Sequence, residues 1–248
     1  MNTDPLKELA DGLGLETDLW WLVMMMAGLL ATFLAAFAYP GAAQFWVWFT
    51  VVLRLSIAVG LSQQPWGGVF GQLLPFGLAV GAFSIFGDFL LVNWHERGQR
   101  IYPEGTGVLL ASPLYVPLFW ACMMVEYGYA ILRLWGMLEK KLGGETGTYA
   151  AMLLGGVLVA LWTACTDFWA VKAGWWTYKP GVREIKESCA LYVVIGHFLI
   201  FVPFLHLFGR FLGCPGTRLY SAVRHGLIYG LVIFLGYIAG HALVERRL

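Results

Sequence analysis

The stretch TDFWAVKAGWWTY spans Thr166–Tyr178 and places Asp167 inside an otherwise apolar run. The same order of residue types occurs earlier in the chain, where the tripeptide GDF around Asp88 is followed by Tyr102. Each segment therefore carries an aspartate and, after a similar interval, a tyrosine. This recurrence is the first indication that the chain contains two related halves.

The composition identifies the class of protein. Of 248 residues, 59% are hydrophobic and only 12% are charged, with a mean hydropathy of +0.70. Soluble domains carry about 25% charged residues. The sequence therefore predicts an all-α, polytopic membrane protein. No basic stretch is long enough to bind phosphates, so we expect no nucleic-acid partner. The four cysteines form no Cys-x-x-Cys pair that would indicate zinc or a disulfide.

Apolar runs long enough to cross a bilayer occur seven times. A spanning helix needs about 20 predominantly apolar residues. We interpret residues 1–248 as one integral-membrane domain, with residues 1–18 as a polar N-terminal segment that lacks the basic start of a secretory signal. The predicted spans are 19–38, 44–62, 69–92, 109–136, 148–172, 189–212 and 219–243.

A further match follows each aspartate and extends the repeat. Ser112–Val116 reads SPLYV and Ser188–Val193 reads SCALYV, in the same order after Asp88 and Asp167 respectively. Because each segment follows a span that runs in the same direction, the two copies form a parallel repeat. We predict that helices three and four superpose on helices five and six about an axis near the membrane normal, with Asp88 matching Asp167.

The distribution of basic residues predicts the orientation in the membrane. Seven spans place the two termini on opposite sides. The loops 93–107 and 172–187 and the C-terminal end carry more Lys and Arg than the other side, including Arg97 and Arg100. Loops rich in Lys and Arg stay in the cytoplasm. The sequence therefore predicts a cell-membrane protein with its N-terminus outside and its C-terminus in the cytoplasm.

Ionisable residues inside predicted spans are the candidates for function, because burying them in a membrane is costly. Asp88 and Asp167 lie about one turn from the ends of their helices and either exchange protons or accept structural hydrogen bonds. Glu126 lies deeper, in apolar and aromatic surroundings, and two alternatives apply. Burial keeps it protonated as a proton donor, or it forms a buried ion pair with Arg54.

Several enzyme classes lack their required residues. The histidines are too widely spaced for a membrane-bound iron site, and a lone helical histidine such as His197 is more typical of packing. No lysine follows Lys186, which excludes a retinal Schiff base in the last helix. No Asp-Asp-x-x-Asp sequence is present to hold magnesium and diphosphate. We expect no cofactor and no metal.

The segment around Asp167 resembles part of a known family. Asp167, Ala170, Gly174–Trp176, Tyr178 and Pro180 are similar to the Asp-x-x-Ala and Gly-x-Trp-x-Tyr segment of integral-membrane lycopene cyclases and related carotenoid hydratases. The resemblance covers some fifteen residues. In those cyclases the next helix opens with Pro-x-Glu-Glu, whereas here Ile185–Ser188 reads IKES and only Glu187 matches.

A second resemblance is to the small seven-helix terpene cyclases of fungal meroterpenoid pathways. These enzymes have a similar length and number of spans and carry a membrane-embedded Trp-Glu-x-x-Tyr sequence. Glu126–Tyr129 matches its Glu-x-x-Tyr part, and Val125 replaces the tryptophan. The resemblance implies that a glutamate and an aspartate start cyclisation by protonation.

Together these features predict a cofactor-independent, proton-initiated cyclase whose apolar isoprenoid substrate enters from the membrane lipid. Asp167 or Glu126 would be the acid, and Asp88 would receive the final proton. Aromatic faces would stabilise the carbocation, and dry walls would protect it from water. The expected substrate-binding residues are Trp176, Tyr178, Trp120, Tyr115, Tyr192, Arg54 and His197.

Two alternatives use the same residues. Water captures the cation in a hydratase, and sequence does not separate a hydratase from a cyclase. In a non-enzymatic carrier or assembly factor, the carboxylates would hold helices together, and parallel repeats also occur in transporters.

Overall fold

The computed structural model describes residues 5–38, 40–93, 100–103, 108–110, 112–179, 181, 183–185 and 188–245. Over these residues the chain forms nine α helices, a 3₁₀ turn at Pro40–Ala42 and three sheets of two strands. The helices are α1 Pro5–Asp11, α2 Leu15–Ala36, α3 Ala43–Ser62, α4 Gly68–Asn93, α5 Tyr115–Leu142, α6 Gly144–Lys172, α7 Leu191–Phe201, α8 Phe204–Leu212 and α9 Arg218–Glu245. The strands are β1 Arg100–Ile101, β2 Val108–Leu109, β3 Ser112–Pro113, β4 Thr177–Tyr178, β5 Glu184–Ile185 and β6 Cys189–Ala190.

The structure confirms an all-α protein with six to seven membrane spans. Six of the described helices are long and apolar enough to cross a bilayer. The sixth predicted span, 189–212, is instead two helices, α7 and α8, bent by 41°. The break falls at Pro203, which cannot donate the backbone hydrogen bond that a continuous helix requires.

Contacts at the two ends of the molecule show that the bent pair crosses the bundle as one span. At the first end, α1 reaches the end of α5, where Lys7 lies 3.4 Å from Glu139, and the Ser221 hydroxyl of α9 donates to the Phe211 carbonyl of α8. At the other end, the Arg183 amide, which follows α6, donates to Glu245 at the end of α9. The α7–α8 pair therefore connects the two ends, and the two terminal helices end on opposite faces.

The start of the fourth predicted span is wrong. The sequence places it at residue 109, whereas α5 begins at Tyr115. Residues 108–113 form a short hairpin of β2 and β3, in which Leu110 has a positive φ of 60°. A backbone in this conformation cannot continue a helix, although the residues are apolar. Apolar composition alone extends the predicted span into this hairpin.

The order of elements repeats as the sequence predicts. In the first copy α4 is followed by β1, the hairpin β2–β3 and α5, and in the second copy α6 is followed by β4, the hairpin β5–β6 and α7. The first strands of the two copies pair with each other, antiparallel, with Arg100 opposite Tyr178. Such a pair is what a twofold axis between the copies produces. The superposition of the two copies itself stays a prediction.

Small residues allow the helices of the first copy to approach closely. A Cβ atom on Gly81 of α4 would lie 2.1 Å from the Pro117 carbonyl oxygen of α5. A Cβ on Gly226 of α9 would lie 2.7 Å from the Ala79 Cβ of α4. Helices in membranes associate through such small-residue contacts, since lipid supplies no hydrophobic drive between them. This packing fixes α4 and its aspartate against α5 and α9.

Candidate functional site

The first aspartate centre lies five residues before the end of α4 and is closed on every side. Asp88 is 1% exposed. The Tyr102 hydroxyl lies 2.7 and 2.9 Å from its two carboxylate oxygens, and the Ser112 hydroxyl donates to Oδ2. Arg100 Nη1 donates to Oδ1 at 3.4 Å. Asp88 is thus a buried, ion-paired carboxylate that holds the loop of the first copy.

The second aspartate centre repeats this frame five residues before the end of α6. The Tyr178 hydroxyl lies 3.0 and 3.1 Å from the two oxygens of Asp167, as Tyr102 does with Asp88. The Cys189 thiol takes the place of the Ser112 hydroxyl beside the carboxylate. The Trp176 indole N–H donates to Oδ1 at 2.9 Å. No salt bridge to Asp167 occurs among the described residues.

Arg100 connects the two centres across the β1–β4 pair. Its Nη1 bonds to Asp88, and its Nη2 donates to the Tyr178 hydroxyl at 3.1 Å. Its guanidinium carbon lies 4.8 Å from the centre of the Trp176 ring, a cation–π distance. Tyr178 accepts this bond and donates its own proton to Asp167. A continuous chain of polar contacts therefore runs from Asp88 to Asp167.

The two tyrosines of this chain stay protonated. Burial raises the pKa of Tyr102 well above its usual value, and the negative charge of Asp88 raises it further. Burial also raises the pKa of Tyr178, although the nearby positive charge of Arg100 acts in the opposite direction. Both hydroxyls therefore remain hydrogen-bond donors to their aspartates at neutral pH.

A small cavity lies beside Asp167. It has a volume of about 40 Å³. One water needs about 10–15 Å³ of such space, and drug-sized ligands occupy pockets of about 300–1,000 Å³. Asp167 lines the cavity, whereas Asp88 does not. The wall is mainly aromatic, and its members include Tyr115, Phe119, Trp120, Trp176, His197 and Tyr237, with Arg100 at the loop side.

His197 on this wall has a defined orientation. Its Nδ1 lies 2.9 Å from the Val193 carbonyl oxygen, one turn earlier in α7. Its ring stacks parallel to Trp120 with centroids 5.3 Å apart, and Tyr237 meets it edge-on at 5.6 Å. The ring is therefore held both by a hydrogen bond and by two aromatic neighbours.

Glu126 forms the ion pair that was one of its two sequence alternatives. Arg54 Nε donates to Oε1 at 2.6 Å, and Nη2 donates to Oε2, so the pair is bidentate. Both side chains are buried. They line a separate cavity of about 20 Å³. This bidentate contact is the buried ion pair of the second sequence alternative.

The remaining predicted substrate-binding residues fall into three groups. Trp120, Trp176, Tyr115 and His197 line the cavity. Tyr178 binds Asp167 and Arg100, and Arg54 binds Glu126, so both act on protein groups. Tyr192 is buried against the His241 ring, with centroids 5.3 Å apart. Pro180 and Glu187, which entered the resemblance, lie outside the described residues.

Arg100, Phe119 and Tyr237 are among the members of the site that the sequence does not single out. Arg100 is 6% exposed, although its place in a loop suggested a solvent-exposed charge. The available signal was its position between Asp88 and Tyr102, two members of the repeat. Tyr237 carried no signal of this kind, because it lies in α9, outside both copies. No group of three or more His, Cys, Asp or Glu side chains that could hold a metal ion occurs in the described part of the chain.

Comparison with known families places the site within one of them. The model of a family described as a domain of unknown function, DUF6989, matches residues 85–244, which is more than half of the chain. The chain belongs to this family. The DUF6989 region contains Asp88, Arg100, Asp167 and His197, whereas Arg54 precedes it. No curated protein and no solved structure matches the chain.

The extent of the DUF6989 region separates the buried charges into two sets. Both aspartate centres and the cavity wall lie wholly within it. The ion pair of Glu126, in contrast, joins the region to α3, which lies before it. The Arg54–Glu126 pair is therefore a contact between the DUF6989 region and the preceding helices.

Proposed function

We propose that the protein is a cofactor-independent isoprenoid cyclase that uses Asp167 as the acid. The observation that carries the proposal is the position of Asp167 on the wall of an aromatic cavity, with its repeat mate Asp88 sealed in an ion pair. Of the three buried carboxylates considered, Asp167 alone combines contact with this cavity and freedom from a salt bridge among the described residues. The resemblance of its segment to membrane carotene cyclases supports the same assignment.

The reaction balances without a co-reactant. The O–H bond of protonated Asp167 breaks and a C–H bond forms at an alkene carbon of the substrate, which leaves a carbocation. A second alkene attacks the cation and closes the ring. Loss of a proton from a neighbouring carbon then gives the cyclic alkene, so product and substrate have equal mass. Trp120 and Trp176 present aromatic faces, each contributing about 2 kcal/mol when desolvated.

Substrate binding requires the cavity to expand. At about 40 Å³ it is smaller than any isoprenoid. The wall consists of side chains on α5, α6, α7 and α9, so it can open through rotamer changes and helix shifts. The α7–α8 break adjoins this wall, since His197 lies one turn before the end of α7. We expect an apolar substrate to enter from the lipid between these helices.

The test uses purified protein in detergent with an isoprenoid extract and mass spectrometry. A product of unchanged mass and new retention time supports a cyclase. A gain of one water identifies a hydratase on the same site. Asp167→Asn is the matched control, since it keeps the shape but holds no acidic proton. No new product from the wild-type protein would overturn the enzymatic proposal.

A non-enzymatic role is the second candidate, and the small size of the cavity favours it. Every oxygen of both aspartates accepts at least one hydrogen bond, which is what a structural carboxylate requires. In a carrier or assembly factor these bonds would fix the loops at one end of the bundle. The same extract experiment separates the candidates, because only an enzyme changes the substrate.

We also propose that the strand-bearing end of the molecule faces the cytoplasm of the cell, with the N-terminus outside. The Lys and Arg content of the loops 93–107 and 172–187 and of the C-terminal end in the sequence supports this orientation, and Lys172, Lys179 and Arg183 are exposed at that end. Arg100 is buried and does not count, and Arg97 and Lys186 lie outside the described residues. The exposed positions 184 and 145 lie at opposite ends. An impermeant thiol reagent applied to intact cells should label Glu145→Cys but not Glu184→Cys, and the reverse pattern would refute the orientation.

A further inference from the structure

No hydrogen bond to Nε2, the second ring nitrogen of His197, occurs among the described residues, and the side chain lines the cavity. A carbonyl oxygen only accepts hydrogen bonds, so the contact to Val193 places the proton on Nδ1. A charged imidazolium would need a second acceptor for Nε2–H, and none of the described residues supplies one. The ring is therefore a neutral imidazole whose Nε2 carries a lone pair. Its residue lines the same cavity as Asp167.

We propose that His197 is the catalytic base that removes the final proton from the cyclised carbocation. This inference rests on the proposed cyclase function and replaces Asp88 in the role that the sequence suggested for it. Asp88 does not line the cavity, and its oxygens already accept bonds from Tyr102, Ser112 and Arg100. A base must reach the C–H bond that it breaks. His197 meets that requirement, whereas Asp88 does not.

The step conserves atoms and charge. The Nε2 lone pair takes a proton from a carbon next to the cationic centre, the C–H electron pair forms the new double bond, and the imidazole becomes imidazolium. Because Asp167 gave one proton and His197 received one, the substrate is isomerised without net gain or loss. After the product leaves, water in the cavity returns the proton from Nε2 to the Asp167 carboxylate.

The aromatic neighbours of His197 determine where the proton is lost. Trp120 stacks on one side of the imidazole and Tyr237 meets it edge-on, so the ring plane is fixed. Trp120 and His197 line the same cavity, so a cation held there lies near the imidazole that would deprotonate it. The position of Nε2 therefore selects one of several possible alkene products.

His197→Asn is the informative variant, and His225→Asn is its control. Asparagine retains a donor for the Val193 carbonyl but has no group at the place of Nε2. His225 makes the same bond from Nδ1 to the Ser221 carbonyl, also at 2.9 Å and one turn earlier, and is equally buried. It does not line the cavity. The control therefore measures the effect of losing a buried imidazole from a helix, separately from any effect on the cavity.

The expected result is a change of product rather than a loss of substrate turnover. In His197→Asn the main cyclic alkene should form about 100-fold more slowly, the lower end of the contribution of a positioned base. The substrate should still be consumed, with other alkene isomers or a hydrated product replacing the main one. His225→Asn should keep the wild-type product pattern. An unchanged pattern in folded His197→Asn would overturn the inference and leave the cyclase proposal intact.

A measurement on the wild-type protein covers the case in which the variant does not fold. In ¹⁵N-histidine-labelled protein at neutral pH, the His197 signals should show a protonated Nδ1 and an unprotonated Nε2. A protonated Nε2 would contradict the assignment whatever the variants do. Absence of any product from the wild-type protein would remove the cyclase proposal and this inference together.

Discussion

Asp88 and Asp167 occupy the same place in two copies of one structural unit, yet their surroundings differ. Each lies five residues before the end of its helix, accepts a bond from a tyrosine in the following loop and lies beside a small side chain on the third strand of its copy. Arg100 bonds directly to Asp88, whereas Trp176 takes the corresponding position at Asp167. The first carboxylate is sealed and the second borders a cavity. Under the proposed function, the same frame has an architectural role in one copy and a chemical role in the other.

The sharpest test of this comparison is Asp167→Asn. The amide keeps the shape and accepts a bond from Trp176, but it cannot donate a proton to a substrate. Loss of a general acid costs about 10²–10⁴-fold in rate. We expect product formed per folded protein to fall by about that factor, with little change in thermal unfolding. Full activity in this variant would remove the difference in role between the two centres.

Asp88→Asn should lower stability and leave activity per folded molecule nearly unchanged, which is the reverse of the result expected for Asp167→Asn. It removes the carboxylate that neutralises Arg100, and a buried charge left without its partner costs about 3–5 kcal/mol. The unfolding temperature in detergent should therefore fall, while activity per folded molecule stays near that of the wild type. Loss of activity with an unchanged unfolding temperature would show that Asp88 belongs to the chemistry.

Glu126→Gln extends the comparison to a third buried carboxylate. Its bidentate pair with Arg54 makes it resemble Asp88, so we expect a loss of stability of about 3–5 kcal/mol. Turnover per folded protein should persist. The double variant Arg54→Met, Glu126→Gln should recover part of the stability, because it leaves no unpaired charge. If Glu126→Gln folds normally but is inactive, the acid of the reaction must be reconsidered.

Tyr102→Phe and Tyr178→Phe remove equivalent hydroxyls. A hydrogen bond to a charged group contributes about 1.5–3 kcal/mol, and we expect each variant to lose stability in that range. Burial raises the pKa of both tyrosines, while the unfolded chain ionises near pH 10. Each hydroxyl therefore contributes stability below about pH 10 that is lost as the pH rises further. The difference between the unfolding temperature at pH 8 and the unfolding temperature above pH 10 should be smaller in each variant than in the wild type.

We expect the smallest effect when the small side chain at the Asp167 centre is replaced by the type found at the Asp88 centre. Cys189→Ser places a hydroxyl at the Asp167 centre like the one that Ser112 supplies to Asp88. Because a hydroxyl is the better donor and fits the same space, we expect a change of under about 1 kcal/mol in stability. The pH dependence of activity should shift if Asp167 is the acid, since a stronger bond favours its ionised form. An unaltered pH dependence would argue against that role.

Most of the fold can be predicted from the sequence, because a membrane span is recognised by its apolar composition. Runs of apolar residues identify every crossing, since a bilayer requires about 20 of them in a row. The errors in the predicted spans occur where backbone geometry, rather than composition, determines the structure. Leu109 and Leu110 are apolar but lie in a hairpin, and Pro203 divides a run that composition treats as continuous.

The candidate site is predicted less completely, because its geometry arises between distant segments. The repeat locates both aspartates and their tyrosines, and these do meet in the structure. The loop position of Arg100 predicts a surface charge, because no neighbouring residue in the sequence indicates that this loop folds over β4. Which carboxylate borders a cavity depends on helices that are far apart in the chain, so no pattern of spacing contains that information.

The two-residue ladder between β1 and β4 has a consequence for how this protein came to be built. Arg100 belongs to the first copy but bonds Tyr178 of the second, so the two copies share one polar network at their boundary. Two separate copies of this unit would meet at the same ladder if they assembled as a pair. Fusion of two such copies into one chain would leave this arrangement in place and would allow one of the two centres to diverge from the other.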